Sequence, residues 1–279
     1  MRKQRATVFY YGRLLAFAIA STAMLFGFEA TAAEEIKIGG TGAALGTMRL
    51  LGETFSKQNS DVKVTILPSL GSGGGIKAAA KGAVDIAVSS RPLTEDERRL
   101  GLMESEYART PFVFAVSTKS KVTAITTGQI ADLYAGRTQT WPDGSRVRFV
   151  LRPVVEGDTD QIKKMAPAVA EALIHAEKIP GTPFAVTDQD AANDIERIPG
   201  AFGATTLALI KSEDRSLRAL ELNGVAATVQ NAAGGRYPHY KRLYLVTHAK
   251  QAAAVQRFIA FVRSPAGLEI LVRNGHWTP

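Results

Sequence analysis

The sequence predicts an α/β protein of two lobes, each a mixed, mostly parallel sheet flanked by helices, with a ligand cleft between the lobes. Short apolar strands alternate with amphipathic helical stretches, which favours parallel strand pairing. Glycine-rich or hydroxyl-rich turns separate several of these elements. The chain has 279 residues, 46% hydrophobic and 22% charged, which is enough for one large or two smaller globular domains.

Two long apolar strands are the expected crossings between the lobes. Tyr107–Ser117 leads into the second lobe, and Arg242–Val246 returns to the first. We therefore predict a first lobe formed by residues 34–115 plus 240–279 and a second lobe formed by residues 116–239.

The remaining elements follow from hydrophobic periodicity and turn residues. The predicted strands and short elements are Ile36–Ile38, Val62–Leu67, Val84–Val88, Arg146–Leu151, Phe184–Val186, Gly203–Ile210 and Val225–Val229. The predicted helices are Ala43–Lys57, Ile76–Lys81, Glu95–Met103, Thr127–Ala135, Asp160–Glu177, Gln251–Val262 and Pro265–Val272. Thr94 and Glu97 form a capping-box pattern, and Pro167 is expected to break or kink its helix.

The N-terminal 32 residues have the layout of a secretory signal peptide. A basic region is followed by an uncharged, mostly apolar run from Leu14 to Phe28 and by the small-residue pattern Ala30-Thr31-Ala32. The apolar run is shorter than the roughly 20 residues of a membrane-spanning helix. We expect a cleaved signal at residues 1–32 and a periplasmic protein; the alternative is an uncleaved anchor.

Composition narrows the function classes. The chain contains no cysteine, so disulfides, thiolate metal sites, cysteine nucleophiles and a lipobox are excluded. The formal net charge is +8, but the export signal and the lack of a compact basic run with aromatic residues argue against a nucleic-acid partner. The basic charge is instead expected to help steer anions, and we expect a monomer.

Three strand-to-helix loops are candidate anion-binding segments. They are Gly40–Gly46, Gly71–Gly75 and Ser89–Pro92. A helix N-terminus offers unpaired N–H groups, and glycine allows a close approach of backbone to ligand. Each loop taken alone is better explained as an ordinary structural turn, but all three fall in one predicted lobe, which favours an anion pocket. Lys77 is followed by Ala78, so the glycine-rich loop is not a nucleotide-binding P-loop.

Arg152 follows a predicted strand and can clamp an oxyanion with two parallel hydrogen bonds. The alternative is a surface arginine paired with Glu156. No nucleophile, acid/base pair or metal-ligand spacing stands out, so we expect neither an enzyme nor a cofactor. The four histidines are expected at the surface or between the lobes: His175, His239, His248 and His276.

Four segments, in order along the chain, resemble the phosphate-binding proteins of phosphate ABC importers, which have the type II periplasmic binding-protein fold. Gly71–Lys77 is similar to the family's GxSSGGxK loop, and Val84–Leu93 to its VDIxxSxRPL segment. Ile125–Arg137, continuing to Trp141, resembles its helix-plus-tryptophan stretch, and Pro199–Gly203 its PGAIG turn. The similarity runs from about residue 36 to the C-terminus.

The resemblance implies a binding protein that closes on inorganic phosphate and delivers it to the permease of an ABC importer. It also implies the ligand contacts, several of them made by backbone amides. The implied binding residues are Ala44, Leu45, Ser72, Gly73, Ser90, Arg152, Gly157, Asp158 and Thr159.

Three departures from the family pattern bear on the anion. Ser90 stands where many phosphate binders have an aspartate that accepts the proton of hydrogen phosphate, and Ala44 replaces a threonine. The loop after Arg152 has an extra residue and two acids, Glu156 and Asp158. Asp158 is a candidate replacement for the proton acceptor. Sulfate, molybdate or tungstate binding, or anion sensing with a membrane sensor, remain alternatives.

Overall fold

The structure of the protein, a computed structural model, describes residues 33–153, 157–182 and 184–279. The predicted signal peptide, residues 1–32, lies outside the described residues. Within the described part of the chain, no helix has the length and apolar character needed to cross a bilayer.

The described strands form one central mixed sheet and one two-stranded sheet. They are β1 (Glu34–Gly40), β2 (Val62–Ile66), β3 (Ile86–Ser89), β4 (Leu102–Ser117), β5 (Ala124–Ile125), β6 (Arg148–Val150), β7 (Ala201–Thr206), β8 (Leu217–Ala219), β9 (Glu221–Leu222) and β10 (Tyr240–His248). The central order is β2-β1-β3-β10-β4-β7-β6, with β8 also paired to β4, whereas β5 pairs with β9. The pairs β1–β2, β1–β3 and β6–β7 are parallel, and β10 and β4 are antiparallel to their neighbours.

Helices flank the central sheet. They are α1 (Gly42–Gln58), α2 (Gly71–Ala80), α3 (Glu95–Arg99), α4 (Thr127–Tyr134), α5 (Gly157–Lys163), α6 (Pro167–Ala176), α7 (Asp188–Arg197), α8 (Leu207–Ser212), α9 (Val229–Ala233), α10 (Ala253–Val262) and α11 (Pro265–Arg273). This arrangement confirms the α/β prediction.

The long strand β4 changes partners halfway along its length. Residues Leu102–Pro111 pair with β10, whereas Phe112–Ser117 pair with β7 and β8. The two largest apolar cores lie on either side of this change. One core contains Tyr134 and Phe202, and the other contains Met48 and Phe258. The pairing change is the kind of crossing that the two-lobe division requires, and that division stays a prediction.

Helix α1 shows how the periodic pattern becomes packing. Met48, Leu51 and Phe55 recur at spacings of three and four residues, so they share one face of the helix, and all three are buried. The Phe55 ring meets the rings of Phe258 and Phe261 with centroids 5.3 and 5.6 Å apart. This apolar face attaches α1 firmly to the core, which fixes the position of its N-terminal end.

Several element boundaries differ from the prediction for local reasons. The helix predicted over Glu95–Met103 ends at Arg99, because Gly101 adopts a positive φ of 80° and the chain then enters β4. The helix predicted over 160–177 is broken before Pro167, as expected: α5 ends at Lys163, and Pro167 starts α6, where its missing N–H costs nothing. The capping box of Thr94 and Glu97 is confirmed.

Two further differences concern residues near the predicted site. The glycine-rich segment Gly71–Gly75 is not a loop but the first half of α2. Phe184–Val186 forms no strand: Phe184 makes only an isolated bridge to Leu151. It is followed by α7, which was not predicted although Thr187 and Asp190 form a second capping box at its start.

Candidate functional site

The N-terminal end of α1 is buried and carries no side-chain cap. Residues Gly42–Leu45 are buried, the first turn contains no acidic residue, and the Thr41 side chain makes no capping hydrogen bond. The first N–H groups of a helix have no partner within the helix and carry a partial positive charge. The Ala44 N–H donates to Thr41 O at 3.1 Å, and the start of this 17-residue helix presents its remaining amides as donors suited to an anion.

Glycines bring the neighbouring segments against this helix start. Gly40 has φ 138°, and a Cβ there would lie 2.0 Å from the carbonyl oxygen of Val88. A Cβ on Gly75 would lie 2.6 Å from the Cα of Gly40. The Thr41 N–H donates to Val88 O at 2.9 Å. Side chains at these two glycines would force β1, β3 and α2 apart, so Gly75 serves close packing at the cost of helix propensity.

Ser72 and Ser90 form a hydrogen-bonded pair beside these segments. Their Oγ atoms are 3.0 Å apart, and the Ser90 N–H donates to Ser72 Oγ at 3.0 Å. One hydroxyl hydrogen is used between the two oxygens, so the pair retains a second hydroxyl hydrogen that can point to a ligand. The pair is neutral and contains no carboxylate.

The segment that follows Ser90 is held in place by Arg91. Its guanidinium group donates to both carboxylate oxygens of Glu97 at 2.7 Å, and this interaction lowers the pKa of Glu97 to about 2. Glu97 also accepts from the Thr94 N–H at the start of α3. Arg91 is therefore a structural anchor of the segment Arg91–Leu93, and it helps to fix Ser90, which directly follows β3.

Four buried charged side chains form a compact cluster, which we term the charge cluster. Arg152, Asp158, Asp188 and Lys241 are only 5, 3, 5 and 6% exposed, respectively. Asp158 forms ion pairs with Arg152 (3.6 Å) and with Lys241. Asp188 forms ion pairs with Arg152 (3.8 Å) and with Lys241 (3.6 Å). Two cations thus face two carboxylates, and their formal charges cancel.

Within the cluster, the facing charges offset the effect of burial on the pKa values of Asp188 and Lys241. Burial raises the pKa of Asp188, but the facing charges of Lys241 and Arg152 outweigh this and hold the pKa below its ordinary value. Burial likewise lowers the pKa of Lys241, and Asp158 and Asp188 together raise it above its ordinary value. Buried ions of this kind persist only when they are paired.

Different parts of the chain supply the cluster. Arg152 follows β6 and also donates to the carbonyl oxygen of Ala185 at 2.8 Å. Asp158 is the second residue of α5, and Asp188 is the first residue of α7. Lys241 lies on β10 beside β4, 5.6 Å from the centroid of the Phe112 ring.

Asp188 connects the charge cluster to the start of α1. A Cβ placed on Gly42 would lie 2.8 Å from Asp188 Oδ2 and 2.2 Å from Gln189 Oε1. The Gln189 side-chain amide also donates to Gly42 O at 3.0 Å and to Glu213 at 2.8 Å. The N-terminus of α1 therefore has two polar neighbours. The serine pair lies near the end of β3, and the charge cluster reaches the start of α7.

A cleft of about 640 Å³ opens beside this junction. Its lining combines residues from α1 and the end of β2 with residues from α7 and the segment after α8. The lining includes Leu45, Arg49, Gln189, Asp190, Glu213 and Arg215. Leu45, one of the implied ligand contacts, is thus buried but borders the cleft.

The structure places the other implied site residues in two groups. Ser72 and Ser90 are in contact, and Gly73 lies beside them on α2, open to the Arg91 side chain. Arg152, Asp158 and Thr159 are together, and the Thr159 hydroxyl lies 3.1 Å from the carbonyl oxygens of Arg152 and Pro153, to which it donates. Gly157 starts α5 and is exposed. Their ligand-binding role stays a prediction.

Two expectations about single residues need correction. Arg152 is buried among charged partners and is not a surface arginine; Glu156, its suggested partner, lies outside the described residues. His276 is fully buried, with Nε2 2.8 Å from Thr47 Oγ1, and burial lowers its pKa to about 3. Sequence reasoning missed Asp188 and Lys241. Among the described residues, no group of His, Asp or Glu could hold a metal ion.

The fold is that of the type II periplasmic binding proteins, and comparisons with known proteins agree. The chain belongs to the PBP superfamily: a family model described as PBP superfamily domain matches residues 28–266. The Borreliella burgdorferi phosphate-binding protein PstS is 26% identical over 268 residues, which cover 91% of this chain and 94% of that protein. The family resemblance and the prediction of a binding protein rather than an enzyme are confirmed by these relatives.

Solved structures confirm the fold. One is a protein from Clostridium perfringens described as a phosphate ABC transporter substrate-binding protein with bound phosphate; it matches with a TM-score of 0.73 and 23% identity, covering 88% of this chain and all of that one. The periplasmic molybdate-binding protein of Azotobacter vinelandii matches with a TM-score of 0.63 and 16% identity, covering 88% and 99%.

Proposed function

We propose that this chain is an extracytoplasmic solute-binding protein that captures inorganic phosphate, or a related tetrahedral oxyanion, for an ABC importer. The observation that carries the proposal is the buried, uncapped start of α1. The Ser72–Ser90 hydroxyl pair lies at the end of the neighbouring strand β3, and buried Arg152 is paired with Asp188, which lies against Gly42. The names of the relatives support phosphate as the ligand.

Fixed dipoles would supply much of the binding in this proposal. The Ala44 and Leu45 amides at the start of α1 would donate to the anion, since backbone N–H groups at a helix terminus are already oriented. The free hydroxyl hydrogen of the Ser72–Ser90 pair would add another bond. Arg152, which is paired with Asp158 and Asp188, would donate to the anion from the second lobe. The site needs no covalent chemistry and no cofactor.

The proposed lobes would close on the ligand. We assign residues 34–115 and 240–279 to the first lobe and residues 116–239 to the second, joined where β4 changes partners and where β10 begins. Contacts that the anion makes with both lobes would favour the closed state. An importer permease that binds only the closed state would then select the loaded protein.

Export is part of the proposal. Residues 1–32 would direct the chain across the inner membrane and be removed, which leaves a periplasmic protein that shuttles its anion to the permease. Mass spectrometry of the protein recovered from periplasm tests this directly: we expect an N-terminus at Ala33, and an intact N-terminus would point to a membrane anchor.

Calorimetry on ligand-stripped protein tests the ligand. Phosphate, sulfate, molybdate and tungstate would be titrated separately at two pH values, with Arg152→Met as the matched site variant. We expect saturable phosphate binding that the variant loses. Absence of binding by all four anions would overturn the proposal.

A second oxyanion is the specific alternative. The serine pair contains no carboxylate to recognise a ligand proton, and the molybdate-binding structure shares the fold. If molybdate or tungstate binds more tightly than phosphate in the same titrations, the anion site is retained and phosphate is replaced as its ligand.

A further inference from the structure

The charge cluster bears on which anion can enter the site. Arg152 would ordinarily be counted as a free positive charge for the ligand, but Asp158 and Asp188 lie within 4 Å of it. Lys241 faces the same two carboxylates. A doubly charged anion added to this neutral group would leave two negative charges uncompensated in a buried place, which is costly.

One oxygen of the cluster is itself short of a hydrogen-bond donor. Asp158 Oδ2 is buried and accepts no hydrogen bond within the described residues, although Arg152 Nε lies 3.6 Å away. A buried carboxylate oxygen without a donor is unfavourable. A ligand that carries an O–H group would supply the donor, whereas a fully deprotonated oxyanion would not.

Asp188 brings a negative charge of the cluster to the start of α1. Its Oδ2 lies against Gly42, the first residue of α1. An anion held by the amides of Ala44 and Leu45 would therefore meet the negative charge of Asp188 as well as the positive end of the helix. Only an anion of low charge gains more from the helix than it loses to the carboxylate.

Resting on the proposed function, we propose that Asp188 and Lys241 are specificity-determining residues that restrict the site to singly charged, protonated oxyanions such as dihydrogen phosphate. The two carboxylates neutralise Arg152 and Lys241 and repel dianions, and Asp158 accepts a hydrogen bond from the O–H group of the ligand. Lys241 forms ion pairs with both carboxylates and holds them in place.

Other charged groups must be considered in any pH comparison. His239 lies two residues before Lys241, and burial lowers its pKa. Arg49, Asp190, Glu213 and Arg215 line the adjacent cleft. Sulfate remains doubly charged throughout, so it reports any change in the protein's own charge, whereas phosphate gains its second charge between about pH 6 and about pH 8.

The test compares phosphate and sulfate binding by calorimetry in the wild type, Asp188→Asn and Asp194→Asn. Asp194→Asn removes the same charge from the same helix, but Asp194 pairs with Arg197 outside the cluster. We expect the wild type to bind phosphate at least about tenfold more tightly at about pH 6 than at about pH 8, and to reject sulfate. Asp188→Asn removes one negative charge, so that the two cations of the cluster face only one carboxylate. The sulfate affinity should therefore rise by about tenfold or more.

The outcomes separate the two proposals. If the wild type binds phosphate but Asp188→Asn gains no more sulfate affinity than Asp194→Asn, the selectivity role of Asp188 is wrong and the proposed function stands. If the wild type prefers phosphate at about pH 8, the restriction to singly charged anions is wrong. If the wild type binds no oxyanion, the proposed function fails. Thermal unfolding in anion-free buffer verifies that each variant is folded.

Discussion

The serine pair and the charge cluster lie near the same helix start but are built differently. Ser72 and Ser90 are neutral, partly buried and hydrogen-bonded to each other. The charge cluster is buried, fully ionic and assembled around Arg152 and Lys241. Hydroxyl groups rotate and can donate to any tetrahedral oxyanion, whereas fixed charges discriminate between ligands of different charge. The comparison teaches that affinity and selectivity can reside in different neighbours of one helix.

The largest expected effect lies in the charge cluster. Lys241→Met leaves Asp158 and Asp188 with one cation between them, so we expect a loss of about 3–5 kcal/mol in the free energy of unfolding. Urea unfolding of the anion-free protein at neutral pH measures it. Arg242→Met, the adjacent residue on β10 with an exposed ion pair to Glu106, should cost at most about 1 kcal/mol. Equal losses in the two variants would show that the cluster is not a stabilising unit.

The close packing behind the serine pair should be nearly as sensitive. Gly75→Ala places a methyl group 2.6 Å from Gly40 Cα, so we expect about 1–3 kcal/mol of destabilisation from overpacking. Gly128→Ala is the matched control, because its nearest neighbour would be 3.9 Å away. If Gly75→Ala is as stable as Gly128→Ala in urea unfolding, β1 and α2 are not held together as described.

Helix α1, which the two regions share, is anchored by a buried histidine. The pKa of His276 in the folded protein is about 3, against about 6.5 in an unfolded chain. The unfolded state therefore binds more protons below about pH 6.5, and stability falls as the pH is lowered through this range.

We expect His276 to account for a loss of about 2 kcal/mol between pH 7 and about pH 5. His276→Gln, which can keep a hydrogen bond to Thr47, should remove this part of the pH dependence. Unfolding curves at both pH values check it. An unchanged slope in the variant would assign the acid sensitivity to other groups.

The smallest effect is expected at the serine pair. Ser72→Ala removes one hydroxyl and the acceptor for the Ser90 N–H, so phosphate affinity should fall by about tenfold, corresponding to about 1.4 kcal/mol. The ratio of phosphate to sulfate affinity should stay the same, because no charge changes. Calorimetry with both anions measures the ratio. A shift in the ratio would mean that the serine pair also selects by charge.

The serine side could be predicted from sequence because its signals are local. Gly71–Lys77 and Val84–Leu93 are short motifs, and each places its hydroxyl within a few residues of a glycine or a strand end. What the motifs did not reveal is that Gly71–Gly75 is helical. Its glycines have low intrinsic helix propensity, and the packing of Gly75 against Gly40 accounts for one of them.

The charge cluster could not be predicted in the same way. Asp188 and Lys241 are far apart in sequence, and each resembles an ordinary surface charge until the fold buries it. A usable signal existed for α7, since Thr187 and Asp190 form a capping box at its start. Nothing local marked Lys241, which lies on β10 between Tyr240 and Arg242 and meets Asp158 and Asp188 only in the folded protein.

The most direct test of the central claim is to follow the backbone amides of Ala44 and Leu45 by NMR while phosphate is added. Phosphate held at the start of α1 should shift both amide protons downfield, with the same saturation curve that calorimetry gives for the whole protein. Saturable phosphate binding that leaves these two amides unchanged would place the anion elsewhere and contradict the account.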